Sequence, residues 1–277
     1  MKKTRVSFFI DEKLVSALDA QVARGDADSR SSALEQVLRK QLAPLKQAVI
    51  LAGGKAQQLL VPEAGVFRPL LKIGGKTLVE RMVQKLRDSG YFEIAIVGSS
   101  EVITKIFEKL KDGEGLGVKI TYIEEKEHLG SSHTLALAKE KMRGRFLFLV
   151  CDHYFDFDLA QLEKDHESNL SGATLAIYAG ANFTWRKSSL VQMNGNRIVS
   201  YDANPKSVST NLVSTGIGIA EPEIFEYVKK AHSLFSQVFP EMAEKGRLAG
   251  HIVEGEFVNV HTLADAKQAE KIAGNRQ

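Results

Sequence analysis

Residues 48–59 read AVILAGGKAQQL, an apolar run that passes directly into two glycines and a lysine. A short, continuous apolar run of this kind predicts a strand that is buried on both faces. Gly53 and Gly54 would let backbone N–H groups approach a phosphate or a base without obstruction by a Cβ atom. No Gly-Lys-Ser/Thr follows, and Ala56 stands where the dinucleotide fingerprint needs further glycine spacing. Taken alone, the stretch fits a plain tight turn as well as it fits a ligand-binding loop.

The alternation of apolar runs and amphipathic helices continues after this loop. We expect strands at 47–51, 93–97, 119–123, 145–150 and 174–179, and helices at 77–88, 101–110 and 132–141. This order predicts an α/β domain with a mainly parallel, Rossmann-like sheet and helices on both faces. Ligands of such sheets bind beyond the carboxyl ends of the strands, here residues 52–62, 98–100, 124–132 and 151–156. Among these, residues 124–127 read EEKE and are expected to be a solvated charge run.

The chain divides into a small module, 1–45, and a large domain, 46–277. In the small module, apolar residues at every second position predict a strand over 4–10. Two short amphipathic helices follow, the first capped by Asp11 and the second by Ser29 or Ser31. A lone strand cannot satisfy its backbone hydrogen bonds within so small a unit. We therefore expect two copies of the chain to pair their strands in a homodimer.

The composition limits the classes of protein to which this chain can belong. Its 277 residues are 44% hydrophobic and 26% charged, as is typical of globular proteins. A net charge of +3 gives no strong basic field of the kind that attracts nucleic acid. The single cysteine, Cys151, excludes an internal disulfide framework and a cysteine-based zinc site. The apolar runs are too short for a signal peptide or a membrane span, so we expect a cytoplasmic protein with no membrane partner.

Further motifs extend the pattern beyond the glycine loop. They are FRPLLKIGGK at 67–76, GSSHT at 130–134, FLFLVCDHYFD at 146–156, NLVSTGI at 211–217 and FVNVHT at 257–262. Together with residues 48–59, these motifs resemble the nucleotidyltransferases that activate sugar phosphates or related polyol phosphates as nucleoside diphosphate derivatives. The resemblance runs from about Lys46 to Glu270. Through Asp152-His153 at the end of a strand, it is most similar to the inositol-1-phosphate cytidylyltransferase branch.

This resemblance implies a reaction in which a phosphate oxygen of the substrate attacks the α-phosphorus of a nucleoside triphosphate and pyrophosphate leaves. Such a reaction brings several negative charges together, so it needs a divalent cation, cationic side chains and backbone donors. The residues at the matching positions are Asp152 and Asn259 for Mg²⁺, Arg68 and Lys72 as catalytic cations, Thr215 and Gly216 for the substrate, and Leu51, Ala52, Gly53, Gly54, Lys55, Gly130 and Ser131 for the nucleotide.

Four positions depart from the family pattern. Ala56 stands in place of a glycine, and Gln58 in place of an arginine that helps to hold the triphosphate. Arg68 replaces a lysine, which keeps the charge but not the shape, and Ser214 stands where the most similar branch has an aspartate. Loss of one phosphate-binding cation would cost about 2–4 kcal/mol of transition-state stabilisation, unless a nearby lysine compensates.

The small module resembles the ribbon-helix-helix family of dimeric DNA-binding modules over residues 4–42. The matching residues are Arg5-Val6-Ser7-Phe8, Leu18-Asp19 and Ser29-Arg30-Ser31-Ser32-Ala33. The resemblance implies that Arg5, Ser7 and Phe9 face the major groove of DNA. It also implies that the helix N-terminus at Ser29 and Ser31 holds a phosphate of the DNA backbone. Two interpretations remain open at this point, a module that binds DNA and a module that only dimerises.

Two functions are therefore compatible with the sequence. The first is a Mg²⁺-dependent nucleotidyltransferase that is dimerised by its small module, and the presence of Asp152 and Lys72 favours it. The second is a DNA-binding transcriptional regulator whose degenerate transferase domain senses a nucleotide or a sugar phosphate. Gln58 and the presence of Arg5 and Ser7 favour this regulator. The sequence does not determine which nucleoside triphosphate, which sugar or inositol phosphate, or which operator would be bound.

Overall fold

The structure, a computed structural model, describes residues 7, 9–42, 46–180, 188–228 and 233–274. The chain divides into two compact units, Met1–Leu45 and Lys46–Gln277. Within the described ranges, none of the helices combines the length and the hydrophobicity that a membrane span requires.

The small unit contains two helices, α1 (Glu12–Ala23) and α2 (Arg30–Leu42). Asp11 caps α1, because its carboxylate accepts a hydrogen bond of 2.8 Å from the Lys13 N–H. Ser29 caps α2 in the same way, because its hydroxyl oxygen accepts a hydrogen bond of 3.1 Å from the Ser32 N–H. Short polar side chains at these positions satisfy N–H groups that a helix leaves free in its first turn.

The predicted strand of the small module is described only in part. Ser7, Phe9 and Ile10 adopt no regular secondary structure. Residues 1–6 and 8, including the predicted DNA contact Arg5, lie outside the described residues. The pairing of this segment between two copies of the chain therefore stays a prediction.

The large unit alternates strands and helices. Its strands are β1 (Lys46–Ala52), β2 (Leu60–Val61), β3 (Val66–Phe67), β4 (Lys72–Ile73), β5 (Lys76–Thr77), β6 (Tyr91–Gly98), β7 (Lys119–Glu124), β8 (Phe146–Val150), β9 (His153–Phe155), β10 (Ala173–Ala179), β11 (Ser189–Asn194), β12 (Arg197–Asp202), β13 (Leu212–Ala220), β14 (Leu248–Ile252) and β15 (Phe257–Asn259). Its helices are α3 (Ala56–Leu59), α4 (Leu78–Asp88), α5 (Ser100–Leu110), α6 (Ser131–Leu137), α7 (Leu159–Asn169), α8 (Ile224–Val228), α9 (Phe239–Glu244) and α10 (Leu263–Gly274). The helix predicted over 132–141 is shorter, because the chain continues after α6 as a 3₁₀ turn, Lys139–Lys141.

Nine strands form one sheet in the order β10-β14-β12-β11-β13-β8-β1-β6-β7. The four strands β8, β1, β6 and β7 are parallel to one another, as the alternation of strands and helices predicts. The α/β fold class is thereby confirmed. Beyond β8 the sheet becomes mainly antiparallel, because β13 runs against β8, β10 and β11, and β11 runs against β12. Among the described residues of this half, β10 and β14 are the strands that pair in parallel.

Strand β1 lies inside the parallel half and contributes to the core on both sides of the sheet. Ala48 and Ile50 belong to the cluster that contains Met82 of α4, and Val49 belongs to the opposite cluster, which contains Leu135 of α6. Successive side chains of a strand point to opposite faces, so a strand covered on both faces reads as one continuous apolar run. The carboxyl ends of β1, β7 and β8 lie at the same edge of this sheet, because the strands run in the same direction.

Candidate active site

The glycine loop begins where β1 ends. Gly54 has a left-handed backbone (φ +97°), and its N–H donates a hydrogen bond of 2.7 Å to Oε2 of Glu125. A Cβ atom on Gly53 would lie 2.7 Å from Glu125 Oε2 and 2.6 Å from Cγ2 of Thr134. Both distances are too short for any side chain. Glycine is therefore required at residue 53 because the loop packs directly against Glu125 and Thr134.

Glu125 is the centre of a buried polar cluster at the carboxyl end of β7. Only 1% of its surface is exposed. Its Oε1 accepts a hydrogen bond of 2.6 Å from the Thr134 hydroxyl, and Nδ1 of His128 lies 3.5 Å from its Oε2. We refer to Gly54, Glu125, His128 and Thr134 as the Glu125 cluster. It joins the glycine loop to α6, the helix that begins with the Gly130–Ser131 turn.

The prediction of a solvated charge run over 124–127 is wrong for Glu125. Glu124, Lys126 and Glu127 are exposed, but the side chain between them turns inward beneath the glycine loop. A signal for this was present in the sequence, because residue 125 directly follows a strand whose carboxyl end points at the ligand edge of the sheet.

A second polar cluster lies at the carboxyl end of β8. Strand β9 pairs antiparallel with β15, with His153 opposite Asn259. The Val260 N–H donates a hydrogen bond of 2.8 Å to the carbonyl oxygen of Asp152. This short ladder brings Asp152 and Asn259, the two predicted metal ligands, to the same place from distant parts of the chain.

Asp152 is surrounded by groups that can be cationic. Its Oδ2 accepts a hydrogen bond of 3.0 Å from Nη1 of Arg68 and lies 3.2 Å from Nε2 of His261. Nε2 of His153 lies 3.5 Å from its Oδ1. We refer to Arg68, Asp152, His153 and His261 as the Asp152 cluster. His261 had no assigned role in the sequence, although it stands two residues after Asn259 in a matched motif.

The environment keeps the Asp152 carboxyl ionised. Burial alone would raise its pKa, but the hydrogen bond from His261, the charges of His153 and His261, and the hydrogen bond from Arg68 lower the pKa to about 2. Burial lowers the pKa of His153 to about 4, and the opposing effect of Asp152 is smaller. His153 is therefore neutral near pH 7, whereas the Arg68 guanidinium stays charged and continues to hold Asp152 ionised there.

An open cleft of about 220 Å³ is lined by all four predicted substrate and metal residues. The residues that line it are Val150, Asp152, His153, Ser188, Ser189, Ser214, Thr215, Gly216, Phe235, Asn259 and His261. Gly216 has φ +70°, and a Cβ atom there would lie 2.9 Å from Cε1 of His153. The Thr215 hydroxyl donates a hydrogen bond of 2.9 Å to the Ala176 carbonyl, so it fixes β13 against β10.

The chemistry of this cleft fits a Mg²⁺ ion. Oδ1 of Asp152 and Oδ1 of Asn259 are both buried without a hydrogen-bond partner. A carboxylate and an amide oxygen are ligands that Mg²⁺ accepts, and this ion usually completes its shell with water and substrate phosphates. Among the described residues, no group of three or more His, Cys, Asp or Glu side chains is arranged to hold a metal. The protein part of such a site would therefore consist of these two oxygens.

The remaining predicted residues lie outside the Asp152 cluster. Lys72 on β4, Lys55 and Gln58 are exposed. Gly130 precedes α6 with φ +104°, and the Ser131 hydroxyl oxygen accepts a hydrogen bond of 3.0 Å from the Leu234 N–H. Leu51 and Ala52, at the end of β1, are buried. Of the two predicted catalytic cations, Arg68 contacts Asp152, whereas the structure shows no contact of Lys72 with this cluster.

Comparison with known proteins defines the class. The model of the family described as "Nucleotidyl transferase" matches residues 47–259. The chain belongs to this nucleotidyl transferase family.

Individual relatives are distant. The chain is 25% identical over 220 residues to "Mannose-1-phosphate guanylyltransferase catalytic subunit beta" of Danio rerio, and the match covers 77% of this chain and 61% of that protein. It is 28% identical over 182 residues to "Bifunctional protein GlmU" of Methanococcus aeolicus, covering 66% of this chain and 42% of that one. The chain thus spans less than two thirds of the length of these relatives.

The fold is also seen in solved structures. A UDP-glucose pyrophosphorylase complexed with UDP-glucose superimposes with a TM-score of 0.70 at 16% sequence identity. The superposition covers 84% of this chain and 100% of that one. At this level of identity the likeness concerns the fold alone.

Proposed function

We propose that this chain transfers a nucleoside monophosphate from a nucleoside triphosphate to a phosphorylated sugar or inositol, with release of pyrophosphate. The observation that carries the proposal is the cleft at the carboxyl end of β8. It combines two buried oxygens without hydrogen-bond partners, Oδ1 of Asp152 and Oδ1 of Asn259, and the other oxygen of Asp152 is hydrogen-bonded to the guanidinium of Arg68. Oxygen ligands and a cation are what a reaction between two phosphates needs.

Asp152 and Asn259 would hold the Mg²⁺ ion in this reaction. When bound, the ion supplies charge neutralisation for the phosphate oxygens. Because Asn259 contributes a neutral oxygen, the protein offers the ion a single negative charge. We therefore expect weak binding of the free ion and tighter binding together with a nucleotide.

Arg68 would bind a phosphate of the substrates while it keeps its hydrogen bond to Asp152. Nη1 donates to Asp152, while its Nε is buried without a hydrogen-bond partner. A guanidinium has five N–H donors in a fixed plane, so it can bind a carboxylate with one edge and a phosphate oxygen with another. An oxygen of the substrate phosphate would form a bond to the α-phosphorus of the nucleoside triphosphate. The bond between the α-phosphorus and the oxygen that bridges it to the β-phosphorus would break, and pyrophosphate would leave with that oxygen. The attacking phosphate is already anionic, so no general base is required.

The lining of the cleft favours a small polyhydroxylated phosphate as the acceptor. Ser189, Ser214, Asn259 and His261 present hydroxyl, amide and imidazole groups, which exchange hydrogen bonds with sugar or inositol hydroxyls. The Asp152-His153 pair supports the inositol-1-phosphate cytidylyltransferase branch. The names of the relatives support sugar 1-phosphates with other bases.

A pyrophosphate-release assay tests the proposed function. Each of the four common nucleoside triphosphates is combined with MgCl₂ and a panel of hexose 1-phosphates and inositol phosphates. We expect release with at least one pair, dependent on both substrates. Absence of release across the panel, with a folded protein, would contradict the proposed activity.

The alternative function is that of a dimeric DNA-binding regulator. The small unit supplies a specific observation in favour of dimerisation, which this alternative shares with the transferase hypothesis. Its described residues bury only Leu18, Ala27 and Ala33 as a core. Its exposed large apolar residues are Phe9, Ile10, Leu14, Val37 and Leu38. A unit that exposes more large apolar residues than it buries needs a partner surface, and the predicted strand pairing of two copies would supply one.

Truncation separates dimerisation from DNA binding. Sedimentation of the full-length chain and of a variant without residues 1–44 should give a dimer and a monomer. The dimer should shift a pool of random duplex DNA at low salt if the module also binds DNA. A monomeric full-length chain would contradict the ribbon-helix-helix assignment.

A further inference from the structure

The Glu125 cluster takes no part in the proposed chemistry at Asp152 and Asn259. A carboxylate that is almost completely buried is costly unless its oxygens are paired, and here both oxygens are. Its partners come from two segments that are distant in the chain, the loop after β1 and the helix α6. A buried charge that bridges two segments fixes their relative position.

The hydrogen bond from Gly54 has a further consequence. Its N–H points at Glu125 and is therefore not available to a phosphate. The nucleotide contacts of the two glycines stay a prediction, and the structure adds a packing role for each of them. Because Gly53 has no Cβ atom, the Glu125 carboxylate and Thr134 can pack directly against the loop. Gly54 has a left-handed backbone, and its N–H donates to the same carboxylate.

From this geometry we propose that Glu125 is the positioning residue of the glycine loop. It holds the loop against α6, and thereby sets the affinity for the nucleoside triphosphate rather than the rate of the chemical step. The assignment of the loop to the nucleotide rests on the proposed function, whereas the holding of the loop rests on the hydrogen bonds alone. The two parts can therefore be tested separately.

The chain offers a matched set of variants. Glu125→Ala removes both acceptor oxygens, Thr134→Val removes the hydroxyl donor, and Glu125→Gln retains one acceptor oxygen at the same size. Glu124→Ala and Glu127→Ala remove carboxylates from the same charge run at exposed positions, so they control for loss of charge.

The first measurement is amide hydrogen exchange of the full-length protein without nucleotide. Exchange at Gly54 should rise about tenfold in Glu125→Ala, since loss of a hydrogen bond to a charged group is of this order. It should rise less in Thr134→Val, and Glu125→Gln should stay near the wild-type rate, as should the two controls. If Glu125→Ala does not fold, Thr134→Val and Glu125→Gln still decide the question. Equal exchange in wild type and Thr134→Val, or equal exchange in Glu125→Ala and Glu124→Ala, would overturn the proposal.

The second measurement is steady-state kinetics of pyrophosphate release. Glu125→Ala should raise the KM for the nucleoside triphosphate about tenfold, with kcat and the KM for the acceptor phosphate nearly unchanged. A fall in kcat at unchanged nucleotide KM would overturn the positioning role. Glu125→Ala could instead change which nucleoside triphosphate is preferred, with no faster amide exchange at Gly54. That result would overturn the positioning role and indicate that Glu125 recognises the base. If the wild type releases no pyrophosphate, the proposed function fails, and the exchange rates alone decide whether Glu125 holds the loop.

Discussion

Two buried carboxylates stand at the carboxyl ends of parallel strands, and their surroundings differ in kind. Glu125, after β7, has both oxygens engaged, one by a backbone N–H and one by a hydroxyl. Asp152, after β8, has one oxygen beside Arg68 and His261 and the other without a hydrogen-bond partner. Burial alone does not identify a functional carboxylate. The difference lies in whether acceptor capacity remains for a ligand.

The sharpest test of this comparison is removal of the carboxylate with spare capacity. Asp152→Ala should lower kcat about 10³-fold, because an ionic ligand at the reacting phosphates is lost. The fold should persist, because Arg68 is partly exposed and can be hydrated. Pyrophosphate release and thermal unfolding measure the two effects. Asp88→Ala, at an exposed ion pair with Arg87, is the control. Activity of Asp152→Ala within a few-fold of wild type would remove Asp152 from the mechanism.

For Glu125, the carboxylate with both oxygens hydrogen-bonded, we expect the main effect of substitution on stability. Glu125→Ala should lower the free energy of unfolding by about 2 kcal/mol, because buried donors on Gly54 and Thr134 lose their acceptor. Glu124→Ala should change it by less than about 0.5 kcal/mol, since its side chain is exposed. Urea unfolding of the two variants provides the measurement. Equal stability of Glu125→Ala and Glu124→Ala would contradict a structural role of the Glu125 carboxylate, and with it the contrast with Asp152.

A third test concerns the cation beside Asp152. Arg68→Met should raise the affinity for Mn²⁺ about tenfold. The Arg68 guanidinium lies 3.0 Å from the Asp152 carboxylate, the proposed metal ligand, and its positive charge disfavours the binding of a cation there. Titration calorimetry without nucleotide measures this independently of turnover. Arg87→Met, which removes an exposed arginine, should leave the affinity unchanged. Weaker binding in Arg68→Met would show that Arg68 organises the site instead of competing for it.

The smallest expected effect concerns the triphosphate side of the glycine loop. Gln58 is exposed close to the loop, with its Oε1 3.4 Å from where a Cβ atom on Gly54 would lie. Gln58→Arg should lower the KM for the nucleoside triphosphate about threefold, the scale of a solvent-exposed charge pair. Gln57→Arg adds the same charge one residue away and is the control. An unchanged KM in Gln58→Arg would indicate that Lys55 or Lys72 already fills the missing position.

The parallel half of the fold was predictable because its local and global signals agree. Apolar runs such as that of β1 are long enough to reveal buried strands, and amphipathic helices separate them. The antiparallel half was not predicted beyond β10. The positions of strands such as β11 and β12 in the sheet depend on which strands pair with one another. Periodicity within a segment does not indicate its pairing partner.

Motifs in the sequence nominate individual candidate residues, but they do not predict how these residues are arranged. Asp152 and Asn259 were selected from motifs, yet their proximity depends on the β9–β15 ladder. Glu125 was missed because its neighbours in the sequence are charged and exposed, whereas its environment is set by the loop after β1. His261 was missed because no role attaches to a lone histidine until the aspartate it faces is known.

The β9–β15 ladder also sets when the site can form during synthesis. Asp152 and Asn259 are 107 positions apart in the chain. At about 5–20 residues per second, a ribosome needs roughly 5–20 s to travel from one to the other. During that interval the parallel strands are already outside or within the exit tunnel, while Asp152 still lacks its partner segment. The four parallel strands are therefore synthesised before Asn259, and a chain that ends anywhere between these two residues lacks one of the two proposed metal ligands.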